Sequence, residues 1–203
     1  SCSLLKQVAG TAVNSIRFSQ RCYAEAMKTN TITAEVTLRL TGESDIPRLP
    51  AIERSAAQAF RQIPALAWLA DSAVISAREH YQYLETDHSL LAIGGGEPVG
   101  FLLSEPLDDA LFIVEIAVHQ QWQGRGIGRM MLTRVADTAR AMGYPALTLT
   151  TFREVPWNAP FYTRLGFCML DEQHLPSGLA AKRERETDHG LLPETRCTMR
   201  LAL

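Results

Sequence analysis

A glycine-rich turn between an apolar strand and a helix is the part of this sequence best suited to chemistry. The turn spans residues 120–128, after the apolar segment 111–118 and before a helical pattern that ends at Gly143. The first amides of a helix have no intrahelical partner, and the helix dipole adds positive charge there. Glycine also lets a phosphate approach the backbone closely. The pattern therefore predicts an anion site that holds the pyrophosphate of a nucleotide-like cofactor.

A lone carboxylate interrupts the apolar segment that precedes the turn. Glu115 stands among Leu, Phe, Ile, Val and Ala, so it lies either on an open face of a sheet or in a cleft. Partial burial would raise the pKa of its carboxyl toward the value that a general base needs at neutral pH. A base or water relay and a structural polar contact both stay open for this residue. His119, just after the strand, is expected to contact the turn.

The elements around these residues indicate a mixed α/β layer architecture. After a strand that begins near residue 34, the patterns predict helices over 44–60 and 76–86 and then a three-strand meander. A helix, a strand, a short helix and two further strands follow. The charged residues 171–194 are predicted to be a connection that contains a short, solvated helix. The helix after the turn has an apolar stripe made of Ile127, Met131, Leu132, Val135, Ala139 and Met142.

Composition excludes several classes of protein. The 203 residues are 46% hydrophobic and 21% charged, which suits a globular domain with a substantial core. A net charge of -2 gives no reason to expect nucleic acid as the main partner. No apolar run approaches the roughly 20 residues of a membrane-spanning helix. The four cysteines lack a CxxC spacing, so the sequence predicts free thiols, a reducing cytoplasmic location and no metal site.

The turn does not match the common nucleotide-binding motifs. A Walker A motif needs a Gly-Lys-Ser/Thr sequence, and the dinucleotide fingerprint needs a third glycine where Arg129 stands. Neither a GxSxG elbow nor an HExxH motif occurs. ATP and nicotinamide cofactors are therefore not favoured.

A second motif lies downstream, at residues 158–167 (NAPFYTRLGF). Together the two motifs resemble the GNAT superfamily of N-acetyltransferases. Its members carry Gln/Arg-x-x-Gly-x-Gly/Ala after a strand, as at Gln123, Gly126 and Gly128. They also carry a tyrosine four residues before the glycine of a Leu-Gly-Phe, as at Tyr162 and Gly166. The predicted order of elements from residue 34 onward is similar to that superfamily as well.

The resemblance implies a fold, a co-substrate and a set of binding residues. The fold would be a central, mostly antiparallel sheet with a splayed parallel strand pair, flanked by helices. Acetyl-CoA would be the donor, and a primary amine the acceptor. The residues expected to bind the donor are Ile116, Ala117, Val118, Gln123, Gly124, Arg125, Gly126, Ile127, Gly128, Arg129, Asn158, Phe161 and Arg164. Plain surface charge is the alternative for the two arginines of the turn, and helix capping the alternative for Asn158.

Two side chains are the catalytic candidates. Tyr162 is expected to protonate the leaving thiolate, because a phenol is a neutral proton donor at neutral pH. Packing under the cofactor is the alternative for this tyrosine. Glu115 is expected to act as the base, and a backbone amide near Val118 could bind the developing oxyanion.

The acceptor is less clearly indicated than the donor. Residues 62–69, Tyr81 and Tyr83 would give a partly aromatic pocket for a small-molecule amine, shaped by His80 or Tyr81. Core packing is the competing interpretation of residues 62–69. Acetylation of a protein or peptide is the runner-up, and a non-catalytic acyl-CoA sensor is the alternative from another class. No nucleic acid or membrane partner is expected, and a homodimer is common in the resembled superfamily.

Two parts of the chain are distinguished. Residues 34–203 are expected to form a single acetyl-CoA-dependent domain, and residues 1–33 an N-terminal extension. The extension is basic and has one apolar helical face. It fits an organelle presequence, a segment upstream of a natural start at Met27, or a helix that docks on the domain or on a second subunit.

Overall fold

The structure is a computed structural model that describes residues 36–203, so the predicted N-terminal extension lies outside the described residues. The strands are β1 (Val36–Leu40), β2 (Ser89–Gly94), β3 (Glu97–Leu107), β4 (Ala110–Val118), β5 (Ala146–Phe152), β6 (Cys168–Met169) and β7 (Arg196–Ala202). The α-helices are α1 (Leu49–Ala57), α2 (Ala77–Leu84), α3 (Ile127–Ala141), α4 (Ala159–Arg164) and α5 (Ser177–Asp188). Short 3-10 segments flank α1 at Glu43–Arg48 and Gln58–Gln62, and a further one spans Pro64–Asp71.

The seven strands form one sheet in the order β1-β2-β3-β4-β5-β7-β6. All neighbours are antiparallel except β4 and β5, which pair in parallel only at Leu111 with Leu147 and at Phe112 with Thr148. Both strands continue well beyond these pairs, so they separate, and the part of this edge of β4 that follows Phe112 has no strand partner among residues 36–203. The predicted mixed α/β fold with a splayed parallel pair is therefore confirmed.

A β-bulge lies in β4 directly before the predicted base. Leu103 of β3 pairs with Glu115 and Ser104 pairs with Ile113, so Val114 is an extra residue on β4. Side chains alternate between the faces of a regular strand, yet Ile113 and Ile116 both pack into the same core. Val114 instead packs into the core on the opposite face. The bulge therefore changes which face of the sheet each side chain occupies, starting at Glu115.

Two hydrophobic cores cover the two faces of the sheet. The larger core lies beneath α3 and α4, and the smaller one beneath α1. Helix α3 buries its predicted stripe from Ile127 to Ala139, because these residues recur at helical spacing. Met142 was predicted in that stripe but is 56% exposed, since the helix ends at Ala141.

Two predicted helices differ from the observed elements. The helix expected over 44–60 is divided into a 3-10 segment, α1 and a second 3-10 segment. Pro47 and Pro50 have no backbone N–H, and Pro50 lies in the first turn of α1, where that donor is not needed. The expected solvated helix within residues 171–194 is α5, but its inner side is buried through Leu179.

Candidate active site

A cleft of about 860 Å³ opens where β4 and β5 separate. One side is formed by the glycine-rich turn, the start of α3 and α4. The other side is formed by α1, by residues of the 58–74 segment and by Glu186 of α5. Because the gap passes between the strands, side chains from both faces of the sheet meet in this cleft.

The glycine-rich turn holds the first amides of α3 open toward the cleft. Gly124 and Gly126 have φ values of 74° and 80°, a region that glycine adopts without steric cost. Gly126 immediately precedes α3 at the N-cap position, and no side chain caps the helix. The Gln123 Nε2 donates a hydrogen bond to the carbonyl of Val118 at 3.0 Å, which ties the turn to the strand. The uncapped N–H groups fit an anion such as a pyrophosphate.

Two neighbouring residues hold the turn from outside. His119 accepts a hydrogen bond at its Nδ1 from the Gln121 amide, so it contacts the turn as predicted. The Gln120 amide donates to Ser55 Oγ of α1 at 3.0 Å. Helix α1 is thus joined directly to the turn.

The predicted donor-binding residues lie along the cleft with one exception. Residues of the β4 edge, the turn and α4 all line it: Ile116, Ala117, Val118, Gln123, Gly124, Gly126, Ile127, Gly128, Arg129, Asn158, Phe161 and Arg164. Arg125 does not line the cleft, and its guanidinium lies over the Trp122 ring at 4.6 Å from the centroid. The Trp122 ring in turn packs so closely on Gly94 that a Cβ there would come within 2.6 Å of it.

Asn158 immediately precedes α4, but its side chain does not cap that helix. Its Oδ1 is buried and has no hydrogen-bond partner among residues 36–203, and the residue lines the cleft. A buried polar atom normally has a partner. The geometry therefore favours the ligand-contact interpretation of Asn158 over the capping one.

Both catalytic candidates line the cleft, from different elements. Burial raises the pKa of the half-buried Glu115 to about 8, and the Glu53 carboxylate adds to the increase. The Ile116 amide, which donates to Glu115 Oε1 at 3.0 Å, opposes it. Burial also raises the pKa of Tyr162 far above its ordinary value, with a further contribution from Glu115. A carboxyl that titrates near neutrality and a phenol that stays protonated can serve as a base and an acid.

A second carboxyl in the cleft was not predicted from the sequence. Glu53 of α1 lines the cleft, and burial raises its pKa to about 7. Its Oε2 accepts a hydrogen bond from the Ile75 amide at 3.1 Å. The sequence contains one signal: Leu49 and Ala56, four residues before and three after Glu53, place this carboxylate on the apolar side of its helix.

An ionic network at the far wall was also missed. Glu186 of α5 forms two hydrogen bonds to Arg196 of β7, and it accepts others from Arg183 and from the Thr150 hydroxyl. Burial would raise the pKa of Glu186, but the pairing with Arg196 and the other partners outweigh it and hold the pKa below its ordinary value. Arg183 continues the network to Glu172 at 2.9 Å. Glu186 is therefore the residue of α5 that contributes to the cleft wall, and Arg183 holds it from behind.

The residues predicted to shape the acceptor pocket are mostly elsewhere. His80, Tyr81 and Tyr83 do not line the cleft, and of residues 62–69 only Leu69 does. His80 is buried with its ring 5.0 Å from that of Phe101, and burial lowers its pKa. Tyr83 packs against the smaller core and Tyr81 is exposed, so neither contributes to the cleft.

Some general features of the described residues bear on the class of site. Cys168 is exposed and Cys197 is buried, and both are free thiols. Within residues 36–203, no three His, Cys, Asp or Glu side chains are grouped to hold a metal ion. The helices of that region are too short or too polar to cross a bilayer.

The splayed strands, the uncapped glycine turn and the cleft between them define an acetyltransferase site. A profile of the acetyltransferase (GNAT) family matches residues 57–167, and the chain belongs to this family. The matched region includes the turn, β4, β5 and α4.

Solved structures with this fold include several acetyltransferases. The PaiA N-acetyltransferase of Thermoplasma acidophilum, in complex with coenzyme A, is 13% identical with a TM-score of 0.60, over 83% of this chain and 99% of that one. The ribosomal-protein-S18-alanine N-acetyltransferase of Escherichia coli is 16% identical with a TM-score of 0.57, over 82% and 93%. N-acetylglutamate synthase of Neisseria gonorrhoeae, complexed with coenzyme A and N-acetyl-glutamate, is 18% identical with a TM-score of 0.61, over 83% and 35%. At such identities the similarity shows the fold.

Proposed function

We propose that this acetyltransferase moves the acetyl group of acetyl-CoA to the primary amine of a small molecule. The observation that carries the proposal is that Glu115 and Tyr162 line the same cleft as the open edge of β4 and the uncapped turn. A base, an acid, a free strand edge and an anion site are the four parts that acetyl transfer from a CoA thioester needs. The coenzyme A complexes of the PaiA enzyme and N-acetylglutamate synthase support the choice of donor.

The turn and the strand edge would hold the donor. The amides of residues 123–129 would bind the pyrophosphate, and Arg129 would add positive charge beside it. The Ile116 carbonyl and the Val118 N–H, which the Glu115 and Gln123 side chains do not hold, would pair with the amides of the pantetheine arm, because a strand edge inside a cleft needs a partner. Asn158 Oδ1 would accept a hydrogen bond from the same arm. Acetyl-CoA held by these contacts would place its activated acyl group next to Tyr162.

The two catalytic side chains would then move the protons. The Glu115 carboxylate removes one proton from the acceptor ammonium, and the nitrogen attacks the thioester carbonyl carbon. A backbone amide near Val118 stabilises the negative charge on the carbonyl oxygen. The carbon–sulfur bond breaks as Tyr162 donates its proton to the sulfur. The nitrogen releases its second proton, which restores the phenol, and the products are an acetamide and a free thiol.

The experiment is a thiol-release assay with acetyl-CoA and a panel of amines, together with a direct measurement of coenzyme A affinity. The proposal expects turnover with at least one small primary amine. Turnover with peptides alone would instead favour acetylation of protein or peptide amines. Tight coenzyme A binding without turnover on small amines or peptides would favour the non-catalytic sensor.

A further inference from the structure

The acceptor side of the cleft combines an aromatic wall with small aliphatic residues. The Phe60 ring lies with its centroid 5.6 Å from that of Phe152 and 5.8 Å from that of Trp157, in edge-to-face geometry. All three rings line the cleft, together with Ala56 and Val74. Such a wall gains free energy by removing apolar or aromatic surface from water.

Two carboxyls lie beside this wall, and neither has a cationic partner. Within residues 36–203, no Lys, Arg or His side chain forms an ion pair with Glu53 or Glu115. One oxygen of each carboxyl is held by a backbone amide, from Ile75 and Ile116 respectively. A carboxylate that is partly removed from water and has no cationic partner is costly, so this pair favours a bound cation.

The arginines that line the cleft are not available to an acceptor carboxylate at this wall. Arg196 is held by Glu186 at 2.6 and 3.1 Å, and its guanidinium lies over the Phe152 ring at 4.5 Å. Arg129 and Arg164 belong to the turn and to α4, on the side where the donor is expected. A carboxylate next to the reacting amine would therefore face Glu53 and Glu115, and none of the arginines that line the cleft would be free to pair with it.

From this arrangement we infer that the acceptor is a primary amine with an aromatic body and no carboxylate, an arylalkylamine. Glu53 and Glu115 bind its ammonium group, and Phe60, Phe152 and Trp157 enclose its ring. The inference rests on the proposed function, since it names the acceptor of the same reaction. An α-amino acid is excluded by its carboxylate, and an aliphatic diamine lacks the ring and would place a second charge against the aromatic wall.

Three matched probes test this inference with the wild-type protein: 2-phenylethylamine, phenylalanine and putrescine. Phenylalanine differs from 2-phenylethylamine by one carboxylate. We expect kcat/KM for 2-phenylethylamine to exceed that for phenylalanine by about 100-fold or more, because the carboxylate must lose its hydration without a partner. We also expect kcat/KM for 2-phenylethylamine to exceed kcat/KM for putrescine by about tenfold or more, because burial of the ring stabilises the bound amine.

Substitutions of Phe60 and Trp157 test whether the aromatic wall binds the ring of the acceptor. Phe60→Leu should lower kcat/KM for 2-phenylethylamine by about tenfold and leave that for putrescine within about twofold. Trp68→Leu is the control, since Trp68 lies on the adjacent 3-10 segment but is 47% exposed and does not line the cleft. Trp157→Leu repeats the test from a different segment, so that misfolding of one variant does not decide the result.

The outcomes separate the two proposals. A preference for phenylalanine or putrescine would overturn the arylalkylamine inference and leave amine acetylation intact. Equal effects of Phe60→Leu on all amines, with an unchanged fold, would also overturn it. Failure of every small amine, despite coenzyme A binding, would overturn the proposed function itself.

Discussion

Glu186 of α5 and Arg196 of β7 form a two-point ion pair, with Oε2 to Nε at 3.1 Å and Oε1 to Nη2 at 2.6 Å. Their side chains are only 16% and 10% exposed, and Arg183 and the Thr150 hydroxyl complete the coordination of Glu186. The pair fixes α5 to the strands that form one wall of the cleft. It also occupies the arginine that would otherwise face the acceptor.

Glu186→Gln should destabilise the protein by about 2–4 kcal/mol, because it leaves the buried Arg196 guanidinium without its counter-charge and removes one of the two carboxylates that pair with Arg183. The loss can be measured by urea unfolding at neutral pH. Asp137→Asn is the control: Asp137 pairs with Arg140 on the surface with 66% of its side chain exposed, and its loss should cost less than about 0.5 kcal/mol. Equal effects of the two variants would show that the buried pair adds nothing to stability.

Tyr162→Phe should lower kcat by about 10²- to 10⁴-fold, the usual contribution of a positioned acid, while coenzyme A affinity stays within about twofold. The ring remains to pack against Phe161 and Phe167, at 5.3 and 5.6 Å between centroids, so the fold is expected to persist. Tyr144→Phe is the control, because Tyr144 packs against the same core but does not line the cleft. An unchanged kcat in Tyr162→Phe would remove this residue from the acid role.

Local patterns predicted the parts of the site that lie close together in sequence. The strand, the turn and α3 follow one another, so the apolar run before the glycines and the stripe from Ile127 onward were sufficient to place them. Tyr162 and Gly166 likewise fall within one short motif. Glu115 was conspicuous because a carboxylate among apolar residues must be accounted for.

The acceptor wall could not be predicted in this way. Glu53, Glu186 and Arg196 come from α1, α5 and β7, and only tertiary packing brings them to one cleft. The bulge at Val114 also leaves no trace in the sequence, although it sets the face on which Glu115 lies. His80 illustrates the reverse error, because its position beside two tyrosines suggested a pocket and it is a buried core residue.

Gly126→Ala should weaken coenzyme A binding by about tenfold, since it strains the backbone that presents the first amides of α3. Gly143→Ala is the matched control. Gly143 has a φ of 83° against 80° for Gly126, and a Cβ would meet nothing within 4 Å at either position. Both variants should lose a similar stability, about 1 kcal/mol, and only Gly126→Ala should change the affinity measured by titration calorimetry. Equal affinities would show that the turn does not bind the donor.

The pH dependence of kcat/KM, which reports groups of the free enzyme, tests Glu115 as the base. A base with a pKa near 8 is active only when deprotonated, so kcat/KM should rise as the pH increases through about 8. The groups that act on this carboxyl are Glu53 from α1, Tyr162 from α4 and Arg196 from β7. Glu115→Gln should abolish the rise near pH 8. Glu53→Gln should move it to lower pH, because the Glu53 carboxylate raises the pKa of Glu115.

Stability provides an independent readout of the same carboxyl. The pKa of Glu115 is higher in the folded protein than its ordinary value, so the folded state binds the extra proton. Its stabilising effect is complete below about pH 4.5 and is lost as the pH rises through about 8, which lowers the free energy of unfolding over that range. Glu115→Gln should remove about 1–3 kcal/mol of this decline, as measured by urea unfolding at pH 5 and pH 9. Glu53, with its pKa raised to about 7, should preserve part of the decline in Glu115→Gln. A decline as large in Glu115→Gln as in the wild type would exclude Glu115 as a base poised near neutrality.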